Sequence, residues 1–241
     1  MDGPVFTVNT MNASGKAPLH PYWPLGVDIP SYAANSMSAP VLVTFFGAGC
    51  VAIFAATGML IQHSGRTLSK IETGTTLWFA LCGCIHLFFE GYFALNFVDM
   101  AGKNDLFGQL WKEYSLSDSR YLTQDSFLVC MESITAFLWG PMSFMCAYCI
   151  VESHPMRHPL QLIISLGQLY GDILYYGTCT FSKFVFEKVY CRPESFYFWA
   201  YYFFCNFIWI VIPFVLLVAS VTAIAGAFAK VQAMEKGKKQ A

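Results

Sequence analysis

The chain has 241 residues, of which 56% are hydrophobic, 17% aromatic and only 12% charged, with a net charge of -1 and a mean hydropathy of +0.49. A soluble domain carries about twice that share of charge, and a globule of this size cannot cover its surface with so few ionised groups. The aromatic content excludes a disordered chain, the lack of a basic surface excludes a nucleic-acid binder, and an integral membrane protein remains.

The first 38 residues are rich in Pro, Ser and Asn. They hold no basic stretch followed by an apolar one, so no cleaved signal peptide is read there. A membrane-crossing helix needs about 20 predominantly apolar residues. Five stretches qualify, at about 41–61, 77–98, 126–151, 159–181 and 196–229. The first carries no charge and reads as packing and anchoring. The second carries His86 and Glu90, the third Glu132 and the fourth Asp172. The fifth is longer than one span needs, so it can tilt or leave its aromatic start at the interface. Between the second and third, Leu106, Phe107, Leu110, Trp111 and Tyr114 recur at helical intervals. This predicts a short amphipathic interfacial helix capping the bundle. The expected fold is all-α, an integral membrane five-helix bundle with an intramembrane ligand cavity. Residues 39–229 form the spanning domain, 1–38 an N-terminal segment and 230–241 a basic tail.

Five spans put the termini on opposite sides, and the basic residues divide equally between the two sides, so they do not orient the chain. The tail ends Lys238-Lys239-Gln240-Ala241. That spacing matches a dilysine retrieval signal of endoplasmic-reticulum membrane proteins as well as an ordinary basic tail. It favours a cytosolic C-terminus and a lumenal N-terminal segment. The nine cysteines are odd in number and sit mostly in apolar runs, so they read as small buried hydrophobes rather than zinc ligands. Cys179 and Cys191 lie near a predicted membrane edge, where either a pair or two thiols fits.

A carboxylate at the bilayer centre costs roughly 3 kcal/mol. His86 and Glu90 are spaced i,i+4, Glu132 and Thr135 i,i+3, Gln168 and Asp172 i,i+4, and Asn206 and Trp209 i,i+3. Each pair shares a helix face. Taken singly, His86, Gln168 and Asn206 read equally as interhelical hydrogen bonds, Trp209 as packing, and Asp172 as a cap or a partner of Tyr175 or Tyr176. Taken together, the polar faces converge on one internal cavity. The chain has no clustered histidines, no G-x-S-x-G and no nucleotide or haem signature, so neither metal nor cofactor is expected. Acid/base chemistry fits: a buried carboxyl can hold a proton near neutrality, an imidazole held by a second carboxylate can relay it, and the Trp209 face can stabilise a cation by ~2 kcal/mol. The natural reaction is moving a double bond by protonation and deprotonation, in a lipid that arrives from the bilayer.

PLHPYWP (18–24), CGCIHLFFEGYF (82–93), QLWKEYSLSDSRY (109–121), VCMESITAFLWGP (129–141), GQLYGDILYY (167–176) and NFIWIVIP (206–213) together closely resemble the emopamil-binding protein family of 3β-hydroxysteroid Δ8-Δ7 isomerases in sterol synthesis. The resemblance runs in order over nearly the whole chain. It implies a dimeric endoplasmic-reticulum membrane protein with a sterol cavity that also binds cationic amphiphilic amines. It implies that Glu132 and His86 handle the protons at sterol carbons 9 and 7, with Glu90 orienting and charge-balancing His86. Trp209 would face the carbocation, Asn206 and Thr135 would hold neighbouring side chains, and Trp111, Tyr114, Tyr121 and Met131 would line the cavity, with Gln168 and Asp172 beside the substrate. The alternative is a non-catalytic sterol or amine-binding protein of the same superfamily. A transporter is disfavoured by the lack of repeats.

Overall fold

The computed structural model describes residues 20–240. Residues 1–19, which hold Lys16 and the first half of the N-terminal segment, and Ala241 lie outside the described residues. Among the described residues all regular structure is helical. Its main elements are α1 (Ala39–His63), α2 (Lys70–Asn96), α3 (Leu106–Tyr114), α4 (Ser126–Val151), α5 (Arg157–Val185) and α6 (Tyr197–Lys239).

Four of these, α1, α2, α4 and α6, are long and apolar enough to cross a membrane. The predicted fourth span falls in α5, which is long enough at 29 residues but carries Gln161, Gln168 and Asp172 on its buried side. Two helix limits differ from the apolar runs. The second helix begins at Lys70 rather than near 77, because Ser69 and Glu72 form a reciprocal capping box. The last continues through Lys239 rather than ending near 229, since Ala, Lys, Glu and Gln extend a helix without being apolar.

The helices run up and down. α5 packs along α6, and α2 along α4. The second contact is close because it is built on glycines: a Cβ on Gly83 would meet the Phe144 ring at 2.7 Å, and one on Gly140 would sit 3.0 Å from the Leu87 amide. Small residues let helix backbones approach where lipid supplies no hydrophobic push. α1 buries only Leu42. Its apolar exterior suits lipid tails rather than water. All nine cysteines are free thiols, Cys179 and Cys191 among them.

One end of the bundle is closed by a cap made of residues 20–37, 97–125 and 186–196. The short helix expected between the second and third spans is α3, and Gly108 to Lys112 on it are all buried. The reason is the segment 20–37, which lies over the polar side. Gln109 Oε1 accepts from the amides of Ser36 at 2.8 Å and Met37 at 2.9 Å. Lys112 Nζ donates to the Ala33 carbonyl at 2.6 Å, and the Tyr22 hydroxyl donates to the Lys112 carbonyl at 3.1 Å. Deeper in the cap, Arg120 grips Asp118 through Nε at 3.0 Å and Nη2 at 2.6 Å. Arg120 also donates to Thr178 and lies 5.1 Å from the centre of the Tyr175 ring. At the opposite end the connections are tied by Arg66–Glu152 and Arg157–Glu72 pairs at 2.6 and 2.7 Å.

Candidate active site

Beneath the cap, the helices enclose a cavity of about 420 Å³, within the size range of small-molecule sites. Its lining includes all twelve residues expected at the site: His86, Glu90, Trp111, Tyr114, Tyr121, Met131, Glu132, Thr135, Gln168, Asp172, Asn206 and Trp209. They come from five helices and the cap. Three of the helices loosen into π-helical turns beside the cavity, at Ile85–Glu90 in α2, Thr135–Trp139 in α4 and Tyr197–Phe204 in α6. Such turns recur at functional sites.

His86 and Glu90 both lie in the α2 turn. Glu90 Oε2 stands 2.7 Å from His86 Nδ1, and Gln168 Nε2 stands 3.0 Å from His86 Nε2. Both ring nitrogens of His86 are engaged, one by the Glu90 carboxylate and one by the Gln168 side-chain amide. A helix-spaced pair on α2 is thus completed by a third residue on α5.

Glu132, on α4, is 4% exposed. The Tyr121 hydroxyl donates to its Oε1 at 2.9 Å, and Thr135 Oγ1 lies 3.5 Å from its Oε2 while donating to its backbone carbonyl at 2.9 Å. Asp125 caps the start of α4 through the amides of Phe127 and Leu128, which anchors the turn that carries Glu132. Burial, then the neighbouring Glu132 carboxyl, pushes the Tyr121 phenol well above its usual range. Burial does the same to Tyr114. Both phenols therefore stay protonated and serve as donors.

Asn206 and Tyr114 hold each other: Asn206 Nδ2 donates to the Tyr114 hydroxyl at 2.9 Å, and that hydroxyl stands 3.2 Å from Asn206 Oδ1. Trp209 packs between two rings, its centroid 5.0 Å from that of His86 and 5.0 Å from that of Trp78. Trp111 stacks on Phe89 at 4.6 Å and donates its indole N–H to the Phe89 carbonyl at 3.0 Å. Met131 reaches the neighbourhood of Gly171 on α5, at 3.8 Å from where a Cβ would stand. Gln168 touches His86, and Asp172 lies one turn further along α5.

Other lining residues had not been singled out. Trp78 lies eight residues before His86, two helical turns away, a spacing that could have found it. Tyr175 follows Asp172 by three and shares its face. Glu113, half-buried on α3, accepts from the Tyr201 hydroxyl at 3.1 Å, and burial raises its pKa. α1, expected only to anchor, supplies Leu42, Val43, Phe46 and Cys50 to the wall. It carries no polar residue there, so nothing in its sequence marks it as a cavity wall.

Comparison with known proteins places the chain among relatives. The family model EXPERA (expanded EBP superfamily) matches residues 106–220, which run from α3 into α6. The chain is similar to a 3-beta-hydroxysteroid-Delta(8),Delta(7)-isomerase of Cavia porcellus, 40% identical over 221 residues, covering 90% of this chain and 94% of the relative. It is also similar to proteins of that name from Mus musculus, 36% identical over 87% of this chain and 90% of the relative, and Rattus norvegicus, 38% identical over 83% and 86%. With identities at this level over nearly the full length of both partners, the chain belongs to the family of these 3-beta-hydroxysteroid-Delta(8),Delta(7)-isomerases, within the expanded EBP superfamily.

Proposed function

We propose that the chain is a sterol Δ8-Δ7 isomerase that works within the membrane. The observation that carries this reading is the grouping of a His–Glu pair, a second buried glutamate and a tryptophan face around one apolar cavity. Glu132 delivers a proton to sterol carbon 9. The electrons of the carbon 8–9 double bond form the new C–H bond, and carbon 8 becomes cationic. The His86–Glu90 pair then takes a proton from carbon 7, and the C–H electrons close the 7–8 double bond. One proton is gained and one lost, so no oxidant or reductant is consumed. Trp209, beside His86, offers its ring face to the cation, and the two glutamates balance its charge. Tyr121 and Thr135 orient Glu132, Gln168 and Glu90 orient His86, and Asn206 fixes Tyr114 against the substrate.

A lipophilic amine carries a lasting version of the same charge, so cationic amphiphiles occupy this cavity too. In the membrane α5 serves as a fifth crossing and α3 lies at the interface under its covering segment. The C-terminus faces the cytosol, where Lys238 and Lys239 keep the protein in the endoplasmic reticulum, and the functional unit is a homodimer.

Turnover in deuterated water tests the reaction. One deuterium should appear at carbon 9 of the Δ7 product, with no dependence on NADPH or oxygen. Amine binding without any label transfer would return the chain to a non-catalytic binding role.

A further inference from the structure

The α5 wall carries two polar groups that the proton chemistry leaves unused. Asp172 is 9% exposed, and its Oδ2 has no hydrogen-bond partner among the described residues. Tyr175 is 1% exposed, and its hydroxyl has none either. Both line the cavity, and their i,i+3 spacing puts them on one face of α5. Buried polar atoms are costly to leave unpaired. Trp78 Nε1 and Gln168 Oε1 on the cavity lining also lack a partner among the described residues, whereas Glu132 accepts from Tyr121 and both His86 ring nitrogens are engaged.

A sterol brings a matching group. Its ring system is apolar apart from the 3β-hydroxyl, which both donates and accepts. That oxygen is carried by ring A, and the carbons that exchange protons belong to the ring fused to it. Gln168 touches His86 and so marks the level of the reacting ring. Asp172 lies four residues on, about 6 Å along the helix, a span comparable to that ring separation. The direction is also right, because Tyr175 continues the same face toward the cap.

We propose that Asp172 accepts the hydrogen bond of the substrate's 3β-hydroxyl, and that the Tyr175 hydroxyl donates to the same oxygen. This rests on the sterol reading above and adds a specificity contact to it. Held at this end, ring A points along α5 and the neighbouring ring falls between Glu132 and the His86–Glu90 pair.

A competition experiment tests the contact. Membranes containing the full chain are given equal amounts of a 3β-hydroxy Δ8 sterol and its 3-deoxy analogue, and the product ratio is read by mass spectrometry. Wild type should prefer the hydroxylated sterol by about 10-fold, the worth of one hydrogen bond. Asp172→Leu should bring that preference to within about threefold, and Asp172→Asn, which keeps a carbonyl acceptor, should fall between. An unchanged preference in Asp172→Leu overturns the assignment. Should that variant not fold, a 3-methyl ether in wild type serves instead. It lacks the donor but keeps the oxygen that Tyr175 reaches, so it should fall between the alcohol and the deoxy sterol, and an ether turned over like the alcohol overturns the proposal. Wild type that isomerises neither sterol would sink the sterol reading itself, whereas isomerisation with no hydroxyl preference sinks only this contact.

Discussion

Both the cap and the cavity bury ionisable groups, but they treat them differently. In the cap, Asp118 and Arg120 are 0% and 2% exposed, and the guanidinium grips both carboxylate oxygens before spending its remaining donors on Thr178 and a backbone carbonyl. This pair is satisfied charge against charge, and nothing of it is left over for a ligand. In the cavity, Glu132 is nearly as buried, yet its neighbours Tyr121 and Thr135 are neutral. A buried ion whose partner is fixed is a structural commitment. A buried acid supported only by neutral donors can still exchange a proton. The same desolvation serves stability in one place and chemistry in the other.

The contrast can be broken most directly at Arg120. Arg120→Ala leaves Asp118 buried without its partner, which should cost about 3–5 kcal/mol. The expected outcome is a large fall in the thermal midpoint in detergent or a failure to recover folded protein. An Arg120→Ala variant that unfolds like wild type would mean the cap is held by its backbone contacts alone.

In the cavity the sign reverses. Glu132→Gln keeps the shape and both hydrogen bonds but removes the proton. Turnover should fall by about 10²–10³-fold, or ~3–4 kcal/mol of barrier, while the thermal midpoint barely moves. His86→Ala should behave likewise. If either variant aggregates while its neighbours tolerate change, that residue belongs with Asp118 and Arg120.

Trp209→Leu sharpens the comparison further. The pocket stays apolar but loses the ring quadrupole. Binding of a lipophilic amine should weaken by about 1–2 kcal/mol more than binding of a neutral sterol of similar size. Competition with one radiolabelled amine measures both affinities, and equal losses would reduce Trp209 to a wall.

The smallest effect belongs to Asp105 at the start of α3. Burial alone would raise its carboxyl, but the Tyr92 hydroxyl and the Gly108 amide outweigh that and hold it below the usual range. A depressed carboxyl stabilises the fold above its ordinary pKa of about 4 and loses that contribution as the pH falls through its lower folded value. Asp105→Ala should cost about 1 kcal/mol at neutral pH through the lost cap. It should also flatten the acid limb of a stability-versus-pH curve, and an unchanged limb would show that other carboxylates govern it.

Sequence reading went furthest where a residue was out of place. His86, Glu90, Glu132 and Asp172 stand out because charge in an apolar run is expensive, and the helical spacing of their neighbours pointed each pair one way. Trp78 did not stand out among 13 Tyr, 6 Trp and 23 Phe, since an aromatic residue fits a membrane protein anywhere. Tyr121 was read as lining, but its hydroxyl reaches Glu132, a contact made between the cap and α4 that no local pattern encodes. The buried Asp118–Arg120 pair sits in SDSR, which reads as a polar loop until residues 20–37 are laid over it. Such covering is a long-range event, and periodicity reports only on the local helix. The same limit hid the second face of α3 and the part α1 plays in the cavity wall.

The π-helical turns carry a consequence for how this chain tolerates genetic change. A π-turn holds one residue more than the α-helical turn it replaces. Deleting a single codon within 85–90 would let α2 relax into a continuous α-helix. Because the turn gives up only its extra residue, the flanking segments would keep their phase, whereas the same deletion in a regular α-helix rotates one side by about 100°, one residue's step around the helix. In an ordinary spanning helix such a loss scrambles packing and is discarded with the protein. Here, when the lost residue lies between His86 and Glu90, it would leave a well-formed, still apolar helix in which their spacing has changed from i,i+4 to i,i+3. The geometry of the site is therefore open to adjustment by one short deletion that leaves the membrane scaffold standing.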